Sequence, residues 1–440
     1  MTARPMSEAT TLEYARSCDA ADPLRGFRAR FALPADERGE PLVYLAGHSL
    51  GLEPLAARTL VLEELDEWAQ RAVEGHEHAR RPWVPYHENL TAGLATLTGA
   101  RHDEVVAMNS LTVNLHLMLA SFYRPQGERV RVLMEAGAFS SDRYAVASQI
   151  AWHGLDPERA LLELAPRAGA ELLDEGAIEA CLAEHGRQIA LVLWPGVQFR
   201  TGQAFDLARI ASAAHRHGCL VGFDLAHSIG NTPLALDAAD ADFAVWCGYK
   251  YLNGGPGAIG GCFVHERHAR ALPRAGHRGA LPGARLAGWW GHEAETRFLM
   301  EPGFRAAGGA AAWAVSNPPI LSAAPLIASL AIFLEAGMER LRGKSRELTG
   351  HLERLLRPLE PRVQIITPRE STARGCQLSI RIAGGAARGR AVFEALHRTG
   401  VVCDWRAPDV IRVAPVPLYN RFEDVWHFAQ RLGQALAERS

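Results

Sequence analysis

A lysine and an aspartate that each follow a short apolar stretch are the residues of this sequence best placed to do chemistry. Asp224 ends the apolar run 220–223, and Lys250 lies between the apolar run 243–246 and the glycine-rich segment 253–255. Ligands of open α/β sheets bind beyond the carboxyl ends of the strands, so both side chains would face one site. A lysine amine that is shielded from water there becomes a nucleophile for an aldehyde.

The carboxylate of Asp224 would complement such a lysine, because it can hold a cationic group beside it. Pyridoxal 5′-phosphate (PLP) combines an aldehyde with a pyridine ring that withdraws electrons while its nitrogen is protonated, and a nearby carboxylate favours that proton. Each residue alone has an ordinary explanation, a helix N-cap for Asp224 and a strand-end lysine reaching solvent for Lys250. The pair together predicts a PLP site in which Lys250 forms the covalent attachment.

Two further segments suit the phosphate and the ring of that cofactor. Residues 108–116 have the pattern of a helix start, whose free N–H groups and Thr112 hydroxyl would bind a phosphate. Phe139 follows the apolar run 130–134 and is placed to stack on the ring. An ordinary capped helix and a core phenylalanine are the commoner meanings of these two features, so both assignments depend on the lysine and the aspartate.

The elements that must position these residues alternate between short apolar runs and amphipathic helices. The predicted strands are 130–134, 189–194, 220–223, 243–246 and 261–264, and the predicted helices between them include 174–185 and 207–217. Such alternation indicates an α/β fold with a mostly parallel sheet that is covered on both faces.

The C-terminal third continues with a different arrangement. A long helix over 324–356 is predicted to lead to strands at 377–382 and 410–414 and to helices at 391–399 and 423–438. We therefore divide the chain into an N-terminal arm that belongs to the small domain (1–45), a large cofactor-binding domain (46–320) and a small α/β C-terminal domain (321–440).

Composition and cysteine spacing exclude several classes of partner. The formal net charge is -2, so a basic surface for nucleic acid is not expected. The seven cysteines are scattered without a C-x-x-C pair, which fits reduced thiols in the cytoplasm and predicts no metal site. The N-terminus lacks a signal-peptide core, and the most apolar helix, 319–336, contains Pro325 and is too short for a bilayer. We expect a cytoplasmic protein without a membrane partner.

Seven sequence strings, spread in order over most of the chain, resemble signatures of the kynureninase family. They are LAGHSLGL (45–52), NSLTVNLH (109–116), DLAH (224–227), YKYLN (249–253), GWWGHE (288–293), SNPPI (316–320) and RVAPVPLYN (412–420). One such string alone is weak evidence, whereas the ordered set is specific.

The resemblance implies a fold-type-I PLP-dependent enzyme that works as a homodimer with a shared active site. It implies hydrolysis of L-kynurenine or 3-hydroxy-L-kynurenine to L-alanine and anthranilate or 3-hydroxyanthranilate, within tryptophan degradation, the kynurenine pathway and NAD biosynthesis. Lys250 matches the Schiff-base lysine that removes the α-proton, Tyr249 matches a tyrosine that contacts the phosphate and assists proton transfer, and Asp224 matches the partner of the ring nitrogen.

The resemblance also assigns the binding residues. The other cofactor contacts that it implies are Leu111, Thr112, Phe139, Asp142 and His227, with Trp289 and Asn317 reaching the cofactor of the partner subunit. The substrate-binding residues that it implies are Ser49, His76, Ser316, Asn317 and Arg412. Of these, Arg412 would grip the α-carboxylate through a two-pronged guanidinium contact.

Three of these residues bear on which substrate is preferred. His76, Ser316 and Asn317 match relatives that favour the 3-hydroxy substrate, and each side chain offers a hydrogen bond to a ring hydroxyl. A solvated loop around His76 and ordinary turn chemistry at 316–319 explain the same residues about as well.

The chain departs from the family at three positions, and other functions stay open. His48 stands where the family usually has asparagine, Pro195 stands where some relatives have a phosphate-binding serine, and Arg200 replaces an aromatic residue. The nearest alternative is another PLP enzyme, an aminotransferase or a cysteine desulfurase, for which Cys376 is the loop-like candidate nucleophile. A non-catalytic scaffold protein of the same fold is a further alternative.

Overall fold

The computed structural model of the chain describes residues 8–270 and 285–438. Its strands are β1 (Val43–Tyr44), β2 (Val105–Ala107), β3 (Arg131–Glu135), β4 (Leu161–Leu164), β5 (Ile189–Pro195), β6 (Leu220–Asp224), β7 (Phe243–Trp246), β8 (Gly261–Val264), β9 (Val363–Ile365), β10 (Leu378–Ile382), β11 (Val401–Val402), β12 (Asp404–Arg406) and β13 (Val410–Val413). Its α-helices are α1 (Leu12–Ala21), α2 (Leu55–Arg71), α3 (Gly75–His78), α4 (Glu88–Thr98), α5 (Leu111–Phe122), α6 (Ser140–Trp152), α7 (Pro157–Ala160), α8 (Glu175–His185), α9 (Leu207–Arg216), α10 (Glu266–Arg270), α11 (Ile320–Ala336), α12 (Met338–Leu356), α13 (Gly385–Arg398) and α14 (Phe422–Ala437).

The central sheet has seven strands in the order β2-β8-β7-β6-β5-β3-β4. Strands β7, β6, β5, β3 and β4 are parallel to one another, and β8 runs antiparallel to both of its neighbours. The sequence therefore predicted the mostly parallel α/β sheet correctly, and the five strands predicted for it have bounds within one residue, whereas β2 and β4 were not predicted. Strands buried on both faces carry continuous apolar runs, which is why the pattern was readable.

The pairing register aligns the ends of the strands that matter for chemistry. Pro195 pairs with Asp224, and Asp224 pairs with Val245, so β5, β6 and β7 end at one edge of the sheet. Lys250 follows Val245 by five residues in the turn beyond that edge. The topology thus brings Asp224 and Lys250 to the same side, as strand-end ligand sites require.

A second, antiparallel sheet in the order β12-β13-β10-β9 is formed by the C-terminal part of the chain. The N-terminal segment joins this part, since β1 pairs with β11 and Asp19 accepts hydrogen bonds from the backbone of Phe422 and Glu423 at the start of α14. The division of the chain at residues 45 and 320 stays a prediction.

Two helix predictions in the C-terminal part were wrong in their bounds. The helix predicted over 324–356 is two helices, α11 and α12, separated at Gly337, whose φ of 76° places it outside the helical region. The helix predicted to begin at 391 begins at Gly385. In the described ranges no single helix has both the length and the hydropathy of a membrane span, whereas α11 and the segment that follows, bent by 82°, pass that test only as a pair.

Candidate active site

Lys250 and His227 both line a cavity at the carboxyl end of the central sheet. Lys250 Nζ lies 3.1 Å from His227 Nε2. Burial, and then the positive charge of Lys250, hold the pKa of His227 well below its usual range. The imidazole is therefore neutral near pH 7, and its Nε2 lone pair can accept a hydrogen bond from the lysine amine.

Three buried carboxyl groups, those of Glu135, Asp142 and Asp224, line the same cavity as the lysine. Asp224 Oδ1 accepts a hydrogen bond from the backbone N–H of Ala226 at 2.7 Å, and the residues that follow form a turn. Asp224 is therefore no cap of an α-helix. Burial, and then the charge of Asp224, raise the pKa of Asp142 well above its usual range. Burial also raises the pKa of Glu135 to about 8, although Gln198 donates to it at 3.3 Å.

Sequence reasoning missed Glu135, which lines the same cavity. It is the last residue of β3, so the rule that singled out Asp224 at the end of β6 would have found it. Its raised pKa keeps it largely protonated near neutrality, and it is a candidate member of the site.

The first turn of α5 and the loop before α6 also line the cavity. Leu111 and Thr112 line it, and the Thr112 hydroxyl lies 2.8 Å from the Ser141 hydroxyl. The N-cap residue, Ser110, makes no side-chain capping bond, so the N–H groups of this helix start are not all used within it.

Two aromatic side chains complete the lining. Phe139 is 41% exposed, and its ring centroid lies 5.7 Å from Lys250 Nζ. Tyr249 also lines the cavity, and burial raises its pKa to about 12, so its hydroxyl keeps its proton near pH 7. The cavity thus joins an amine, a cluster of carboxyl groups, a helix N-terminus and an aromatic face.

Arg412 lies on β13, in the C-terminal sheet, and is only 1% exposed. Its Nε donates to Asp404 Oδ1 at 2.8 Å, and its Nη1 donates to the Phe199 carbonyl at 2.7 Å. Arg406 also donates to Asp404. Burial lowers the pKa of Arg412 to about 10, so the guanidinium remains charged near neutrality.

Ser49 lies in the loop 46–51, which touches the lysine segment, because Gly51 N donates to the Tyr249 carbonyl at 2.9 Å. Pro195 lines the cavity at the end of β5. Arg200 makes ion pairs with Glu171 and Asp409.

A second cavity, of about 570 Å³, gathers another part of the predicted site. His76, Trp289 and Asn317 line it, and the His76 ring packs edge-on against Trp83 at 5.5 Å. Ser316 is not among its lining residues. The two cavities have no lining residue in common, so these side chains are not brought to Lys250 within the described parts of one chain.

Two family models match the sequence. The kynureninase C-terminal domain matches residues 341–432, and the DegT/DnrJ/EryC1/StrS aminotransferase family matches residues 67–235. Kynureninases of Xanthomonas campestris pv. campestris strain B100 and Xanthomonas euvesicatoria pv. vesicatoria strain 85-10 are each 55% identical over 97% of this chain, which covers 98% and 99% of their lengths.

Solved structures with the same fold are more distant in sequence. A mutant of C-DES with glycine covalently linked to its PLP cofactor superposes with a TM-score of 0.73 at 20% identity, over 89% of this chain and 96% of that one. A cysteine desulfurase from Escherichia coli superposes with a TM-score of 0.72 at 19% identity, over 94% and 98%. These likenesses show the fold-type-I architecture of PLP-dependent enzymes.

Proposed function

The chain belongs to the kynureninase family, and we propose that it performs the reaction of that family, the hydrolytic cleavage of the Cβ–Cγ bond of L-kynurenine or 3-hydroxy-L-kynurenine. The products are L-alanine and anthranilate or 3-hydroxyanthranilate. The observation that carries this proposal is the 55% identity to kynureninases over 97% of the chain. The protein is accordingly a PLP-dependent hydrolase of carbon–carbon bonds.

The first cavity fits PLP by the chemistry of its side chains. Lys250 supplies the amine for the aldehyde, and Asp224 supplies a carboxylate for the ring nitrogen. His227 Nδ1 and Asp142 Oδ1 are buried polar atoms with no partner in the described parts of the chain, as expected of groups that a polar ligand satisfies. PLP, when bound, supplies an electron sink for the negative charge that develops on the substrate.

The remaining cofactor contacts follow from the same lining. Leu111 and Thr112, at the start of α5, would hold the phosphate, and Phe139 would face the ring. Pro195 offers no hydroxyl or N–H, so the phosphate must rely on the other donors of the site.

Lys250 is the proposed base that takes the α-proton of the substrate at Nζ. His227 is neutral, so it adds no positive charge beside the lysine. Its Nε2, 3.1 Å from Nζ, accepts a hydrogen bond that orients the lysine amine. Tyr249 is the proposed second proton carrier, and its hydroxyl holds its proton near pH 7.

Arg412 is the proposed binding residue for the α-carboxylate. Its guanidinium has five N–H groups. Nε and Nη2 face Asp404 and Nη1 donates to the Phe199 carbonyl, which leaves one N–H on each of Nη1 and Nη2 for a ligand. Because the group is buried and charged, an incoming carboxylate would be strongly attracted to it. Ser49 is proposed to contact the substrate from the neighbouring loop.

We also propose that the chain works as a homodimer in which the second cavity of one subunit adjoins the first cavity of the other. Support comes from apolar side chains that are exposed in the single chain and that line the second cavity or directly follow its lining residues. They are Val73, Phe298, Leu299 and Met300. Such exposure is typical of a buried interface. Trp289 and Asn317 would then reach the partner's cofactor, and His76, Ser316 and Asn317 would reach the substrate ring.

The cysteine desulfurase alternative is not favoured. It requires a mobile, reactive thiol, whereas Cys376 is 1% exposed and burial raises its pKa to about 12. Its backbone N–H is also tied to Asn231 Oδ1 at 2.9 Å. All seven cysteines are free thiols, which supports the proposed cytoplasmic location.

The proposal is tested by incubating the purified holoenzyme separately with L-kynurenine, 3-hydroxy-L-kynurenine and L-cysteine. We expect one L-alanine for each anthranilate or 3-hydroxyanthranilate formed, and no sulfide from cysteine. Sulfide release without aromatic products would replace the proposed reaction with a desulfurase reaction, and transfer of the amino group to an oxoacid would indicate an aminotransferase.

Substrate preference is tested by comparing kcat/KM for the two kynurenines. We propose that the 3-hydroxy substrate is preferred, because a hydroxyl without a partner in a dry pocket is penalised. In the combined variant His76→Trp and Asn317→Thr, we expect the preference to fall about tenfold. A wild-type preference for unhydroxylated kynurenine would contradict the proposal, and an unchanged ratio in the variant would remove the two residues from it.

A further inference from the structure

His48 is a fully buried histidine whose two ring nitrogens have no hydrogen-bond partner within residues 8–270 and 285–438. Buried polar groups nearly always have a partner, because leaving one unsatisfied is costly. Neither the cofactor contacts nor the proton carriers described above use this side chain. Its role must therefore be inferred from its own surroundings in this chain.

The loop that carries His48 connects the carboxylate-binding strand to the lysine segment. Ala46 bridges to Ala414, two residues beyond Arg412 on the C-terminal side. Four residues after Gly47, Gly51 N donates to the carbonyl of Tyr249, the neighbour of Lys250. His48 is therefore held between the two groups that the proposed function assigns to the substrate's carboxylate and amine.

Glycines on both sides of His48 allow this close approach. A Cβ on Gly47 would lie 2.2 Å from the Tyr419 hydroxyl oxygen, and a Cβ on Gly51 would lie 2.4 Å from the Lys250 carbonyl oxygen. The backbone on either side of His48 is thus packed directly on its surroundings, and the imidazole has little freedom to move out of the site.

The positive charges of Arg412, Lys250 and Arg406 act on the His48 imidazole. The centroid of the neutral His227 ring lies 6.4 Å from that of His48. Burial first, and then these charges, hold the pKa of His48 well below its usual range. The ring is consequently neutral near pH 7 and offers one N–H donor and one lone pair.

The charges beside His48 favour an anion. Arg412 and Arg406 both bond to the single carboxylate of Asp404, so this group of three carries a formal net positive charge. Since Arg412 is buried, its charge is poorly screened by water and would be neutralised by a carboxylate that enters the site.

We propose that His48 is a second binding residue for the substrate α-carboxylate, donating its ring N–H to one carboxylate oxygen while Arg412 binds the group through its free N–H donors. This inference rests on the proposed function, because the amino-acid substrate supplies the carboxylate. It assigns part of the carboxylate contact to a neutral donor, because a further cation in that place would add like-charge repulsion with Arg412, Arg406 and Lys250.

The test uses L-alanine and L-alaninamide as probes, because they differ in the anionic carboxylate. Their dissociation constants are measured with the holoenzyme by titrating the cofactor absorbance, a readout that needs no turnover. The variants are His48→Leu, which removes the donor at similar size, and His48→Gln, which keeps one. His351→Leu is the matched control, because His351 is equally buried and unpartnered but packs against Tyr14 and Phe422.

We expect His48→Leu to weaken L-alanine binding 10- to 100-fold, as for a lost hydrogen bond to a charged group, and to leave L-alaninamide binding within about twofold. His48→Gln should stay within about threefold of the wild type for both probes, and His351→Leu should change neither. If His48→Leu fails to fold, His48→Ala is measured in its place.

Equal weakening of both probes, or no weakening of either, would overturn the role of His48. The proposed function has its own readout, which is cleavage of the kynurenines by the wild type. If the wild type binds L-alanine more tightly than His48→Leu does but cleaves neither kynurenine, the role of His48 in the carboxylate site stands and the proposed reaction is wrong.

Discussion

Two buried aspartates on neighbouring strands are used in opposite ways. Asp242 directly precedes β7 and accepts hydrogen bonds from His215, His268 and Arg267 as well as from the backbone N–H of Val221. Burial alone would raise the pKa of Asp242, but these hydrogen bonds lower it by more, so its pKa lies below the usual range. Asp224 ends β6 at the opposite end of the strands, where Ala226 N donates to it and its side chain also hydrogen-bonds the buried carboxyl group of Asp142.

The difference separates a structural carboxylate from one kept for a ligand. The partners of Asp242 repay the cost of burying its charge within the protein itself. Asp224 has no cationic side-chain partner among the residues that the structure describes, and it lies beside Asp142, so its burial is costly until a cation arrives. We therefore expect a substitution of Asp242 to lower stability and leave turnover nearly unchanged. We expect a substitution of Asp224 to lower turnover without lowering stability.

The largest expected effect is that of Lys250→Ala. The variant should lose turnover completely and should lose the visible absorbance band of the protein-bound cofactor, because the attaching amine is gone. The matched control is Lys344→Ala, since Lys344 is a buried lysine that lies outside the cavity and pairs with Asp22 at 2.8 Å. That variant should lose stability and keep the band. Residual turnover in Lys250→Ala would remove the lysine from the centre of the mechanism.

The next effect tests the ligand side of the comparison. In Asp224→Asn we expect kcat to fall about 1000-fold, a barrier increase of roughly 4 kcal/mol, because the ring nitrogen loses its carboxylate. The apoprotein should unfold at the same or a higher denaturant concentration than the wild type, since one of two adjacent buried acids is gone. A normal kcat would place the partner of the ring nitrogen on another residue, with Asp142 the first candidate.

Of the two aspartates, only Asp224 could be assigned a role from the sequence. Asp224 and Lys250 were recognisable because each follows an apolar run, and the positions of strands β5, β6 and β7 were predicted from the same kind of run. The break at Gly337 was not recognised, because apolar periodicity continues across it and only its positive φ ends the helix.

The structural cluster around Asp242 could not be predicted in the same way. Its members, His215 on α9 and Arg267 and His268 on α10, are 25 to 27 residues away from it in the chain and belong to no motif. Likewise, only the folded chain shows that His76 and Asn317 share a cavity. Contacts of this kind depend on how elements pack rather than on local pattern.

The structural side of the comparison is tested by Asp242→Asn. We expect a loss of about 3 kcal/mol in the free energy of unfolding, because His215, His268 and Arg267 lose their common anion. The folded enzyme should keep its kcat within about twofold. Urea unfolding followed by fluorescence measures the first quantity, and a variant with normal stability and reduced kcat would reverse the roles assigned to the two aspartates.

Arg412 combines features of the two aspartates. Like Asp242 it is buried and has protein partners, and like Asp224 it is proposed to bind a ligand, so Arg412→Lys is the next test. We expect KM to rise about tenfold with a smaller change in kcat, because an ammonium replaces the planar fork. Arg374→Lys is the control, since Arg374 is equally buried and is bonded to Glu353 and to the Pro368 carbonyl. It should lower stability and leave KM unchanged. Equal KM values in the wild type and Arg412→Lys would move the carboxylate site elsewhere.

The smallest expected effect concerns the pH dependence of the Asp242 cluster. The hydrogen bond to Asp242 raises the pKa of His215 above its usual value of 6.5, so the folded protein binds this proton more tightly than the unfolded chain does. The stabilisation is therefore fully present below about pH 6.5 and is lost as the pH rises through the folded pKa. Since the His215 side chain is partly exposed, we expect less than about 1 kcal/mol.

The difference between wild type and His215→Gln isolates this contribution. Glu135, with its raised pKa, and the buried histidines, with their lowered pKa values, also change stability with pH, but they do so equally in both proteins. The wild type should therefore be the more stable of the two at pH 6, and the difference should shrink steadily towards pH 8.5. The exposed His397→Gln serves as the control and should show no such trend. A difference that grows with pH would mean that His215 is neutral in the fold and that Asp242 depends on Arg267 and His268 instead.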